Sequence, residues 1–222
     1  MDYITELFCI LDDFCKKFNE SLEKALISDQ KTTMKKSALS LSEVMTIVIL
    51  FHKSGFRFFK YFYCHMIIPF WKSAFPKLLS YNRFIEIMPR CLQALSSFFH
   101  QVKGEDTGIC IIDSTKLVVC HNLRIKRHRV FKGLAGRGKS STGWFYGFKV
   151  HIVINNLGEI INLKITSGSV HDVAVLESLT QELKGILLGD KGYLSKAKTE
   201  ALAARGLRLL TPSRKNMKNK PI

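Results

Sequence analysis

The 222 residues carry 34 Lys plus Arg against 18 Asp plus Glu, a net charge of +16, with 46% hydrophobic and 23% charged residues. Such a composition, with only 14 Gly and 5 Pro, excludes a disordered, collagenous or low-complexity chain and leaves enough apolar sequence for a sizeable core. The charge excess points to a polyanionic partner, nucleic acid or an anionic surface, rather than to a small metabolite.

The N-terminal MDYITELFCILDDF is acidic and lacks the basic region and small-residue cleavage site of a secretory signal. The longest uncharged apolar runs, 44–51 and 61–71, fall short of the roughly 18–20 residues that cross a bilayer. The expectation is a cytoplasmic chain with no membrane span and with its six cysteines reduced. Cys120, His121 and His128 are the one hint of zinc, but they lack the two close pairs of a tetrahedral site.

The first hundred residues read as helices. Leu7, Phe8, Ile10, Leu11, Phe14 and Phe18 recur at helical spacing, and the 41–51 segment follows Ser40 and Ser42, either of which could cap it. Gly55 ends that pattern. The next stretch, Phe56-Arg57-Phe58-Phe59-Lys60-Tyr61-Phe62-Tyr63, interleaves aromatics with cations. It is read either as a helix buried on most sides or as rings free to stack on exposed bases. Prolines break the chain between Pro69 and Pro76, and a helical pattern resumes over 81–99 around Pro89. No recognition helix of a helix-turn-helix stands out.

Character changes near Gly104 and Gly108. Ile109-Cys110-Ile111-Ile112 is a short apolar run that reads as a buried strand delivering Asp113 at its C-terminal end. Segments 145–154 and 159–166, joined by Asn155-Asn156-Leu157-Gly158, read as a hairpin. Asp172 is the expected N-cap of a helix over 173–183. Gly185-Ile186-Leu187-Leu188 is a second buried strand, leading to Asp190. A helix over 195–205 closed by Gly206 and a strand at 207–210 complete an α/β (α+β) pattern of mixed sheet and flanking helices. The expected division is a helical region over 1–103 and a second domain over 104–222.

Asp113 and Asp190 each follow an apolar run too short for a helix. Neighbouring strands would put both carboxylates at one sheet edge, where like charges favour a divalent cation between them, and oxygen ligands suit Mg²⁺ or Mn²⁺. Charge supports this placement: residues 1–100 hold 13 basic and 9 acidic side chains, whereas 101–222 hold 21 and 9. Within the second half, Lys116, Arg124, Lys126, Arg127, Arg129, Lys132, Arg137 and Lys139 form a run with no acid, and 205–220 repeats the bias. A carboxylate pair in so basic a domain suggests two-metal phosphodiester chemistry. Gly133 to Ser140 also satisfies the G-x-x-x-x-G-K-[ST] pattern of a phosphate-binding loop. Its flanks lack the preceding apolar strand and following helix, so a mobile basic loop facing a phosphate backbone is the better reading.

At Ile112-Asp113-Ser114-Thr115, His128-Arg129-Val130-Phe131-Lys132-Gly133, Gly143-Trp144-Phe145-Tyr146-Gly147-Phe148-Lys149 and Gly189-Asp190-Lys191-Gly192-Tyr193, the chain resembles a bacterial insertion-sequence transposase of the DDE superfamily. Leu41-Ser42-Glu43-Val44 and Ser80-Tyr81-Asn82-Arg83-Phe84 resemble the helical N-terminal region of one such family. The resemblance implies an RNase H-like catalytic core that binds insertion-sequence ends and target DNA. It also implies hydrolysis of a phosphodiester with Mg²⁺ or Mn²⁺, joining of the freed 3′-OH to target DNA, and action as a possible homodimer. Asp113 and Asp190 match the first two catalytic, metal-binding carboxylates. Lys191 and Tyr193 would lie beside the metals, with Lys191 joining Arg124, Lys126, Arg127, Arg129, Lys132, Arg137 and Lys139 as DNA contacts. Asp172 matches a recurrent family position. The third carboxylate, a glutamate on a later helix, would fall beyond Ile222, and Glu200 is too near Asp190 to match it. The resemblance therefore implies a C-terminally truncated chain without its last helix, with a non-catalytic DNA-binding remnant as the alternative to an enzyme and a nucleotide-binding protein a more distant one.

Overall fold

The computed structural model describes residues 3–26 and 38–212. Four basic residues of the second acid-free run, Arg214, Lys215, Lys218 and Lys220, lie outside them. The chain divides into two compact units, Met1–Val102 and Lys103–Ile222.

The first unit is helical: α1 (Tyr3–Leu26), α2 (Leu41–Lys53), α3 (Phe59–Phe62), a π-helical segment (Tyr63–Ile67), α4 (Ile68–Phe70), α5 (Tyr81–Ile87), a 3₁₀ turn (Met88–Cys91) and α6 (Leu92–Val102). Of the two candidate caps for α2, Ser40 serves. Its hydroxyl accepts from the Glu43 amide at 3.1 Å, while the Glu43 carboxylate accepts from the Ser40 amide at 2.6 Å, a reciprocal capping box. Pro89 turns what the periodicity suggests as one helix over 81–99 into α5, a 3₁₀ turn and α6, because it supplies no amide and crowds the preceding turn. Leu11, Met45, Ile47, Phe62, Tyr63, Phe84 and Ala94 are buried in one core. Tyr63 satisfies its hydroxyl there by donating to the Leu79 carbonyl at 2.7 Å.

The second unit is a six-stranded mixed sheet with helices: β1 (Ile109–Cys120), β2 (Gly136–Ser140), β3 (Gly143–Asn155), β4 (Ile160–Ser167), α7 (Asp172–Leu179), β5 (Gly185–Gly189), α8 (Lys196–Ala204) and β6 (Leu207–Leu210). The order is β2-β3-β1-β5-β6, with β4 also on β3. β1, β3, β2 and β4 pair antiparallel, whereas β5 runs parallel to β1 and β6 parallel to β5. This is the expected α/β class, a helical N-terminal part followed by a mixed sheet with flanking helices. Its core lies on one face of the sheet, where Ile112, Val153, Leu187 and Leu209 meet Val175, Leu176 and Leu179 of α7 and Leu202 of α8. Burial of a side chain such as Ile112 or Leu187 contributes roughly 1.5–3 kcal/mol, which fixes the register of β1 against β5.

Two expectations are corrected here. β1 does not end at Asp113 but continues to Cys120, because β3 supplies a ladder partner for every step from Cys110 to Val118 after β5 has stopped. The segment read as a mobile basic loop is partly a strand. Gly136 to Ser140 pairs with Gly147 to Gly143 of β3, so its backbone is extended along a β-ladder rather than wound around a phosphate, and β3 rather than a helix follows it. Its glycines answer to packing. A Cβ on Gly138 would lie 2.2 Å from the Gly168 carbonyl oxygen and within 3 Å of the Phe145 ring, which no larger residue could accept. These observations remove the nucleotide-binding reading.

Candidate active site

The last parallel pair of the β1–β5 ladder is Ile112 with Gly189. Asp113 and Asp190 are the next residues after each strand's last pair, so they occupy adjacent positions where the two strands part. Strand alternation explains their direction. Ile112 points into the core, so Asp113 points to the opposite face with Ile109 and Ile111, both about two-fifths exposed. Asp190 keeps an extended backbone (φ −74°, ψ 167°) before the chain turns into the 3₁₀ segment Lys191–Tyr193. The two aspartates and Ile111, Ile112, Leu188 and Gly189 line a shallow depression of about 360 Å³. Both carboxylates are exposed, and Asp113 Oδ1 accepts from the Ser114 amide at 2.7 Å.

Basic residues share this face. Asp113 stands opposite Ile152 of β3, and counting back in twos along β3 gives Val150, Phe148, Tyr146 and Trp144. Arg137 and Lys139 of β2 are the ladder partners of Tyr146 and Trp144, so both project to the side that carries Asp113. Their cations lie 5.5 and 5.9 Å from the centre of the Trp144 ring, which is itself more than half exposed. Arg124, Lys126 and Arg127 sit on a 3₁₀ turn (Asn122–Arg127) beyond β1, Arg129 and Lys132 on the following turn, and Lys191 directly after Asp190. All are exposed.

The opposite face holds a polar cluster that the sequence did not disclose. Asp172 is not the N-cap of α7; His171 holds that position, without a side-chain cap. The Asp172 carboxylate instead receives Lys149 Nζ at 2.9 Å, with side-chain exposures of 22% and 14%, and Lys149 also donates to the Val170 carbonyl at 3.0 Å. His151, fully buried, shares a hydrogen bond with Thr166 Oγ1 at 2.9 Å through Nε2, while Nδ1 has no partner and lies 3.9 Å from Asp172. Burial holds its imidazole below the usual range, with the Asp172 carboxylate opposing, so the ring is neutral at pH 7 and its approach to Asp172 is not an ion pair. Tyr193, 1% exposed, has its hydroxyl raised well above the usual phenol range by burial, and that hydroxyl faces Ser114 without a hydrogen bond of ordinary geometry. The cluster touches the candidate site through Gly192, where a Cβ would come to 2.9 Å from Asp172 Oδ2. The turn that follows Asp190 is thus seated on the Asp172 carboxylate. Among the described residues no three His, Cys, Asp or Glu side chains converge, which leaves Cys120, His121 and His128 without a zinc arrangement.

Residues 103–222 match the family model described as the transposase DDE domain, and that match covers more than half of the sequence. The chain belongs to the DDE transposases. The α/β sheet described above is the part of the chain that matches. Among solved structures, a piggyBac transposase synaptic complex with hairpin DNA aligns with 89% of this chain and 48% of its own at 12% identity, with a TM-score of 0.49. A Mos1 mariner paired-end complex with Mn aligns with 89% and 67% at 10% identity and a TM-score of 0.29. The transposase described here therefore spans about half the length of the piggyBac chain. Comparison with curated proteins gives no match. No helix among the described residues is long and apolar enough to cross a membrane.

Proposed function

We propose that this DDE transposase moves a bacterial insertion sequence in the cytoplasm. It would bind element ends and target DNA as a homodimer, hydrolyse a phosphodiester and join the freed 3′-OH to the target. The observation that carries this reading is the placement of Asp113 and Asp190 at adjacent positions on the sheet face that also presents Arg137 and Lys139. Asp113 and Asp190 would hold Mg²⁺ or Mn²⁺; two exposed carboxylates with room between the strand ends fit a hard, partly hydrated cation. Such an ion, when bound, supplies activation of the attacking oxygen and stabilisation of the leaving one.

The chain's own residues perform the rest. Arg137 and Lys139 meet phosphates on the face of the carboxylates, Arg124, Lys126, Arg127, Arg129 and Lys132 extend the basic surface, and Lys191 stands next to Asp190. Phosphate contacts of this kind set register on the duplex and leave the scissile bond at the aspartates. Gly192, seated on Asp172, fixes the turn that aims Asp190.

Nicking of supercoiled plasmid in Mg²⁺ or Mn²⁺ tests this reading. Wild-type chain nicks, Asp113→Asn and Asp190→Asn lose at least a hundredfold in rate, and both variants keep salt-sensitive binding. A second reading, a DNA binder without catalysis, follows from the convergence of only two carboxylates among the described residues and wins if the wild type binds but does not nick.

A further inference from the structure

The first unit carries a surface that its core does not use. Residues 44–85 contain six Lys and Arg and no Asp or Glu. In their middle, α3, the π-helical segment and α4 form one helical run over 59–70. Its inner side, Phe62, Tyr63 and Ile67, is fully buried. Its outer side is aromatic as well: Phe58 is 64% exposed and Tyr61 56%. The Tyr61 and His65 rings lie 4.3 Å apart at 33°, a paired platform one helical turn long, and a π-helical register of this kind is frequent at functional sites. Cations accompany the rings. The Arg57 guanidinium lies 5.5 Å from the Phe58 ring centre, and Lys60, which shares the groove with Phe58 and Tyr61, has its Nζ 5.8 Å from the ring centre of Tyr81, a neighbour packed on the core. Phe58, Lys60, Tyr61, Cys64 and His65 line a groove of about 530 Å³.

Clustered exposed aromatic rings cost solubility and mark an interaction surface. Here every formal charge on the surrounding segment is positive, so the complementary ligand combines flat apolar faces with repeated negative charge. Unpaired nucleic acid has both properties, whereas duplex DNA hides its base faces. We propose that this surface binds single-stranded nucleic acid, with Phe58 and Tyr61 stacking on unpaired bases and Arg57 and Lys60 contacting the adjoining phosphates. The surface belongs to the first unit and the carboxylate pair to the second, and stacking of this kind needs no metal.

The test uses the full chain in EDTA, so that Asp113 and Asp190 take no part, and a 12-nucleotide single strand containing 2-aminopurine. Stacking changes the 2-aminopurine emission, and anisotropy gives the affinity. Phe58→Ala with Tyr61→Ala weakens single-strand binding about tenfold or more and removes the emission change, with duplex affinity unaltered. Tyr61→Phe keeps both signals and Tyr61→Leu loses them, since leucine preserves apolar area but not the ring. Arg57→Ala lowers the salt slope for single strands by about 0.7. These residues are exposed, so circular dichroism spectra of the variants should match the wild type. The proposal is overturned if Tyr61→Leu binds the strand as tightly as wild type. It is equally overturned if the double variant changes only self-association in sedimentation, which would assign the surface to a second copy of the chain.

Discussion

The ion pair under the candidate site makes a quantitative demand on stability. Asp172→Ala leaves Lys149 Nζ with the Val170 carbonyl alone, in a position where its side chain is 14% exposed. Stripping one partner from a buried pair costs about 3–5 kcal/mol, and the residual access to water at Lys149 and Asp172 reduces this to about 2–3 kcal/mol. For a unit of this size that corresponds to a fall of roughly 8–12 °C in Tm. The measurement is best made in a Trp71→Phe background, so that Trp144, on β3 beside β2, reports unfolding of the second unit in urea. Lys149→Met should cost a similar amount, because it strands the Asp172 carboxylate beneath Gly192. The double variant Lys149→Met with Asp172→Ala removes both charges, so it should be no less stable than either single variant. Additive losses in the double variant, or a loss under about 0.5 kcal/mol in Asp172→Ala, would refute the claim that this pair is coupled and desolvated.

The same cluster predicts a pH response. Because burial holds the folded-state pKa of His151 below its unfolded value, protonation favours the unfolded chain. Its contribution to stability is therefore complete above about pH 6.5 and declines as pH falls below that value. His151→Gln should flatten the stability profile between pH 6.5 and 5, as read by urea midpoints. Gly192→Ala drives a methyl to 2.9 Å from Asp172 Oδ2; the turn must shift, and nicking should fall at least tenfold while the urea midpoint moves little. Ser40→Ala dismantles the capping box of α2 and should cost about 1 kcal/mol of stability in the first unit, reported by Trp71, without changing the behaviour of the second.

Elements with a clear period or a clear stop were legible. The hairpin strands, β5 and β6 announced themselves by apolar runs bounded by turn residues, and the two aspartates could be set at one edge because each followed such a run. β2 was not legible: Gly136-Arg137-Gly138-Lys139-Ser140 has no apolar alternation, and it is a strand because β3 offers a ladder and Gly138 fits against Gly168. The far half of β1 is hidden in the sequence for a related reason. Its burial pattern turns from alternating to exposed after Ile112, so periodicity fell silent while hydrogen bonding to β3 continued. Asp172 resembles a helix cap because a cap is a local feature, whereas its partner Lys149 lies 23 residues earlier and only the folded sheet brings them together.

On the proposed reading, β3 also sets the phase between the basic residues of β2 and the Asp113 carboxylate. One uninterrupted strand of 13 residues is paired with basic β2 at its start and with Asp113 at Ile152 further along. Side chains on a strand alternate with a period of two, so inserting or deleting a single residue between Phe148 and Ile152 would swing Arg137 and Lys139 to the other side of the sheet from Asp113. An even change would keep them in phase and merely lengthen the distance between the two cations and the carboxylate. Across natural variants of this domain, the spacing between these two points should therefore change in steps of two.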